Sequence, residues 1–237
     1  MRATAAAILA MLMPVTSAQA SDLTDCSQRV DLLRTIDGCT HALNSSILND
    51  RLTAMALNNR ANAYGSMAAY DLAIADYDKA IAIEPTHAHG YFNRGSTHLE
   101  ARHIELAIAD FNRALQIDPG LVQAFVNRGM ARLEAGLIDR AIDDFTVALA
   151  LEPQSAVSHN NRGVAYRRKG RIAQAIADFE AAIELVPAYG AALNNRTEVL
   201  NLLARSEEAD PGLQRTGSPD PMFESIRRNL LLEPNVK

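Results

Sequence analysis

Residues 88–121 read AHGYFNRGSTHLEARHIELAIADFNRALQIDPGL, and these 34 residues decide the fold. Ile104, Ala107, Ile108, Phe111, Ala114 and Leu115 lie at i, i+3, i+4, i+7, i+10 and i+11. That spacing draws one apolar stripe along an α-helix. Pro119 ends the helix, because proline donates no backbone hydrogen bond and restricts the residue before it. A first helix precedes this one. Gly95 and Ala107 are small, so the two helices of the pair can approach closely. One such pair cannot bury its own apolar face, and stacked neighbours are needed to build a continuous core.

The same period runs outward in both directions. Asn-Arg-small recurs at Asn59-Arg60-Ala61, Asn93-Arg94-Gly95, Asn127-Arg128-Gly129, Asn161-Arg162-Gly163 and Asn195-Arg196-Thr197. Ala73, Ala107, Ala141 and Ala175 keep the phase, as do Tyr77, Phe111, Phe145 and Phe179. So do Ala80, Ala114, Ala148 and Ala182, and the closing Pro85, Pro119, Pro153 and Pro187. This pattern resembles the tetratricopeptide repeat (TPR) family. The resemblance implies an all-α, right-handed α-solenoid of helical hairpins, with repeats 54–87, 88–121, 122–155 and 156–189 and a capping helix 190–204. Two departures stand out. Leu57, Tyr91, Phe125 and His159 take the place of the family's large aromatic near the repeat start, and Arg replaces the usual apolar residue before the small one.

The ends of the chain read differently. Residues 1–20 have the order of an export signal: Arg2, the apolar run Ala5 to Met13, Pro14, and Ala18-Gln19-Ala20 as a cleavage signature. Cleavage after Ala20 predicts an exported protein, most simply periplasmic, with secretion as the alternative. Leu23-Thr24-Asp25-Cys26 is a weak match to a lipid-anchoring motif, with Asp25 where a small neutral residue belongs. Residues 22–53 read as a degenerate capping hairpin followed by an irregular insertion at 46–53. Export favours a Cys26–Cys39 disulfide, which would close a loop worth about 3 kcal/mol; two buried apolar thiols are the alternative. Residues 205–237 read as a flexible tail, rich in Pro, Gly and charge before a short apolar stretch, Phe223 to Leu232.

Composition narrows the function classes. The chain has 237 residues, 23 Lys+Arg against 28 Asp+Glu, and a net charge of -5. No basic excess exists to neutralise phosphates, so nucleic acid is not an expected partner. No stretch after the signal is apolar enough to span a membrane. No nucleophile elbow, phosphate loop, dinucleotide fingerprint or zincin motif occurs, and no enzyme activity or cofactor is expected. Four of the six His lie between 87 and 103, but His98 takes a core position held by Tyr64 and Tyr166 in other repeats. No metal site is expected from them. Asp76, Asp110, Asp144 and Asp178 follow the repeat phase, which marks them as structural rather than catalytic.

The in-phase polar residues carry the functional reading. In the TPR family the first helices line a concave groove, and Asn59, Asn93, Asn127, Asn161 and Asn195 occupy a groove-facing position. An amide offers an acceptor and two donors in one plane, matching the peptide unit of an extended chain. Similar Asn ladders are used by the TPR superhelix of O-GlcNAc transferases. Packing between neighbouring helices is the alternative role. The adjacent Arg60, Arg94, Arg128, Arg162 and Arg196 repeat in phase with the Asp series and predict ion pairs between helices; anion receptors are their alternative. Phe92, Ser96, Leu99, Val126, Met130, Leu133, Asn160, Val164 and Arg167 extend the expected groove. Phe92, Val126 and Asn160 stand where the chaperone-adaptor subgroup of the family places a Lys for a C-terminal carboxylate, so that specificity is not expected. The resemblance implies a non-catalytic scaffold or adaptor of the cell envelope that binds an extended segment of a protein or peptide partner. A structural or self-associating spacer, its groove filled by its own tail or a second copy, is the alternative. Nothing in the sequence fixes an oligomeric state.

Overall fold

The computed structural model describes residues 17–27, 31–45 and 48–209. Among them the regular structure is helical: α1 (Ser17–Cys26), α2 (Leu32–Asn44), α3 (Asp50–Ser66), α4 (Tyr70–Ile83), α5 (Ala88–Glu100), α6 (Ile104–Ile117), α7 (Val122–Glu134), α8 (Ile138–Leu151), α9 (Ala156–Arg168), α10 (Ile172–Leu185) and α11 (Gly190–Ala209). Two compact units divide the chain, residues 1–101 with α1 to α5 and residues 102–237 with α6 to α11. The class is the all-α helical-hairpin solenoid that the repeat pattern implies. Most of the export-signal segment lies outside the described residues, and α1 runs through the expected cleavage position. The tail lies outside them from residue 210, and α11 continues to Ala209 because no Gly or Pro interrupts it before Pro211.

Local chemistry sets the helix limits. Asn49 caps α3 by accepting from the Leu52 backbone N–H at 2.9 Å, so that helix begins inside the expected insertion. Asp31 caps α2 in the same way through the Arg34 N–H at 3.0 Å. Helices α4, α6, α8 and α10 stop two residues before Pro85, Pro119, Pro153 and Pro187. The turns between paired helices place Ala68, Arg102, Gly136 and Gly170 in the left-handed region, at φ of 57°, 65°, 74° and 77°.

In the first unit, Cys26 and Cys39 are joined by a disulfide that fastens α1 to α2. Both are buried against Ala56. The two helices approach so closely that a Cβ on Gly38 would lie 2.7 Å from the Asp25 Cβ. Ala61, Ala73 and Tyr77 fill the α3–α4 pair. In the second unit, Leu133, Ala141, Ile142, Phe145 and Ala165 form one core cluster. Ala175, Ile176, Phe179 and Val199 form the next. Gly129 and Gly163 admit the rings of Phe145 and Phe179, since a Cβ at either glycine would stand 2.6 Å from a ring carbon. The small residue and the aromatic are therefore one packing device.

Candidate partner-binding site

Three members of the Arg series, Arg60, Arg128 and Arg162, tie helices together. Arg60 donates from Nε and Nη2 to Asp76 at 2.6 and 2.9 Å, and from Nη1 to Thr40 at 2.9 Å. Arg128 holds Asp144 on α8 and also donates to Asn112 on α6 at 2.7 Å. Arg162 repeats the arrangement with Asp178 on α10 and Thr146 on α8. Each guanidinium thus ties its own second helix to the helix before. Hydrogen bonding to Asp76 and Asp178 holds the Arg60 and Arg162 pKa values above the usual arginine value. Arg94 pairs with the exposed Asp78 at 2.6 Å. His159 joins the last of these clamps, with Nδ1 3.0 Å from Asp178.

The five Asn residues are all half-buried, yet they fall into two environments. In the first unit, Asn59 and Asn93 line a cavity of about 390 Å³ with Leu32, Thr35, Asn62, Ala63, Ser66 and His89. A smaller cavity of about 240 Å³ follows along α5, where Asn93, Phe92, Ser96 and Glu100 meet Asn62 and Ser66. The walls carry amides, hydroxyls, the His89 imidazole and the Glu100 carboxylate, with no Lys or Arg. Tyr77 supports the floor by donating to Asn62 Oδ1 at 2.6 Å, and burial pushes its phenol pKa up.

In the second unit, Asn195 donates to Asn160 Oδ1 at 2.9 Å, while Asn160 faces Asn161 Oδ1 at 3.4 Å. Asn160 is only 6% exposed, which departs from its expected place on an open groove. The bond from α11 draws it into the helix interface. Leu133 also departs from that expectation, being buried against Phe145. Val126 packs beside the same cluster, Met130 is exposed at 40%, and Arg167 pairs with Glu198 at 2.5 Å. Asn127 lies on α7, in the second unit.

Sequence reasoning missed Leu32 and Thr35, the part of the cavity wall that comes from the capping hairpin. A signal for it exists. Thr40 meets Arg60 as Asn112 meets Arg128 and Thr146 meets Arg162, so α2 takes the role of a preceding second helix. Among the described residues no group of three His, Cys, Asp or Glu is placed to hold a metal ion. Nor is any helix there long and apolar enough to cross a membrane.

Two family models of the tetratricopeptide repeat match, one over residues 54–87 and 156–189 and the other over residues 88–121. These stretches carry tetratricopeptide repeats. These TPRs share their fold with solved structures. YrrB, described as a TPR protein with an unusual peptide-binding site, is 22% identical, with a TM-score of 0.60 over 70% of this chain and 84% of that one. MamA from Desulfovibrio magneticus RS-1, from its residue 41 onward, is 17% identical, with a TM-score of 0.66 over 75% of this chain and 99% of that one. A further MamA structure is 20% identical, with a TM-score of 0.61 over 73% of this chain and 96% of that one. No match was found among curated proteins. TPR proteins in general mediate protein–protein interaction, and the scaffold family is in general non-catalytic.

Proposed function

We propose that this chain is a non-catalytic interaction module of the cell envelope that holds an extended segment of a partner protein, with Asn59 and Asn93 gripping its backbone. The observation that carries this reading is the polar cavity of the first unit. Both amides line it, and neither makes a side-chain hydrogen bond to another described residue. An amide left open at a cavity wall is available to the C=O and N–H of a strand laid across it. The lack of Lys and Arg on the walls argues against an acidic peptide or a carboxylate terminus. The signal-like residues 1–20 support an envelope location, and the buried disulfide is consistent with an oxidising compartment. YrrB's description as peptide-binding supports the class of ligand.

The test is photo-crosslinking from position 96 in the full chain, expressed in a bacterial envelope, followed by titration of a synthetic peptide covering the captured segment. Two amides can form up to four hydrogen bonds at about 1 kcal/mol each, so the Asn59→Ala, Asn93→Ala double variant should bind at least about tenfold more weakly. Its melting should be unchanged, because neither amide joins two helices. A folded double variant that binds the peptide as tightly as the wild type overturns the reading.

A further inference from the structure

Four of the five in-phase arginines have a carboxylate partner; Arg196 has none among the described residues. Its Nε is buried with no acceptor among the described residues. The reason lies in the topology. Arg60, Arg128 and Arg162 each reach an Asp sixteen residues later, on the second helix of the same pair. Sixteen residues after Arg196 stands Gly212, and α11 passes without a turn through the position where the other pairs place Ala68, Arg102, Gly136 and Gly170. No described helix follows α11.

The side of α11 that packs inward is defined by Ala192 and Val199, both fully buried. Next to it run Leu193, Arg196, Thr197 and Leu200 at i, i+3, i+4 and i+7, the stripe that in α7 and α9 holds the second helix of the pair. There Gly129 and Gly163 sit under Phe145 and Phe179; here Thr197 is exposed.

We propose that residues Phe223 to Leu232 of the same chain cover this stripe, with Glu224 accepting from Arg196. Phe223, Ile226 and Leu230 recur at i, i+3 and i+7, so a helix over them would offer one apolar stripe beside Glu224. The twelve residues 210–221 span up to about 40 Å when extended. From Ala209 back to Arg196 is thirteen residues of helix, about 20 Å. The segment therefore reaches. A Thr197 in place of Gly keeps an aromatic from seating as deeply as Phe145 does, so this contact is looser than those within the array.

The experiment pairs Thr197→Cys with Phe223→Cys in the full chain, with Cys26 and Cys39 left bonded, and follows mild oxidation by mass spectrometry. A second pair, Met130→Cys with Phe223→Cys, samples the groove instead. The expected result is an intramolecular 197–223 bond formed at least tenfold faster than the 130–223 bond, and slowed severalfold by Glu224→Gln. Intermolecular 197–223 bonds assign the stripe to a second copy and overturn the proposal. A faster 130–223 bond, or no bond at all, overturns it too.

Discussion

Replacing Asp144 by alanine should be among the costliest single changes in this chain. Its carboxylate is 3% exposed and receives two guanidinium groups. Arg128 donates from Nη2 at 2.6 Å and from Nε at 3.1 Å, and Arg132 donates from Nη1 at 2.7 Å. The two arginines are themselves only 14% and 15% exposed. Burial pulls the Arg132 pKa below the usual arginine value, and Asp144 opposes that pull. Removing the carboxylate strands two buried cations beside one another. Breaking a buried pair from one side costs about 3–5 kcal/mol. At roughly 2–4 °C per kcal/mol for a domain of this size, melting should fall by roughly 6–20 °C. Asp78→Ala is the control, since Asp78 is 57% exposed and its pairing with Arg94 is worth at most about 1 kcal/mol. Urea titration followed by circular dichroism measures both. An Asp144→Ala variant that loses no more than Asp78→Ala would show that the Arg–Asp clamps do not hold the array, and the anion-receptor reading of the arginines would regain its ground.

Two further outcomes follow from the same structure. Gly163→Ala and Gly170→Ala should both destabilise, for different reasons: the first drives a Cβ to 2.6 Å from the Phe179 ring, about 1–3 kcal/mol, and the second places alanine at φ 77° with open space around it, about 1 kcal/mol. Asparagine tolerates the left-handed region, so Gly170→Asn should recover most of the stability and Gly163→Asn none, as read by thermal melting. Burial raises the Tyr77 pKa above that of an unfolded tyrosine, so stability should hold below about pH 10 and fall as the pH rises beyond it; Tyr77→Phe should flatten that fall, and a phenolate titration in which all six tyrosines ionise together before unfolding would contradict the assignment.

The repeat fold was legible because its determinants are local and periodic. The apolar stripe of residues 104–115, the in-phase prolines and the Gly–aromatic pairs each state a helix, its end, or the fit of one helix on the next. The Arg–Asp pairing was legible for the same reason, since both series share one period. The candidate site was less so. The helical stripe places Asn160 and Leu133 on the groove, but one step around a helix is about 100°, and residues at the stripe's edge are claimed by the neighbouring helix. Asn195 on α11 reaches Asn160, thirty-five residues away, and no local pattern announces that bond. Arg132 was missed as a second partner of Asp144 because its position holds Tyr64, His98 and Tyr166 elsewhere. The cavity wall from α2 was obscured by the degenerate spacing of the capping hairpin, where twenty residues rather than sixteen separate the clamp from its preceding helix.

The Arg128 and Arg162 clamps reach sixteen residues backward and sixteen forward with one rigid planar group. Such a group acts as a gauge of chain length. Duplicating or deleting a whole repeat returns clamps of the Arg128 and Arg162 kind to an equivalent donor–acceptor set, whereas an insertion of any other size between clamp and acid brings the cation opposite the wrong side chain. A change of array length in whole units of 34 residues therefore keeps these clamps in register, whereas an out-of-phase change leaves their buried charges without partners.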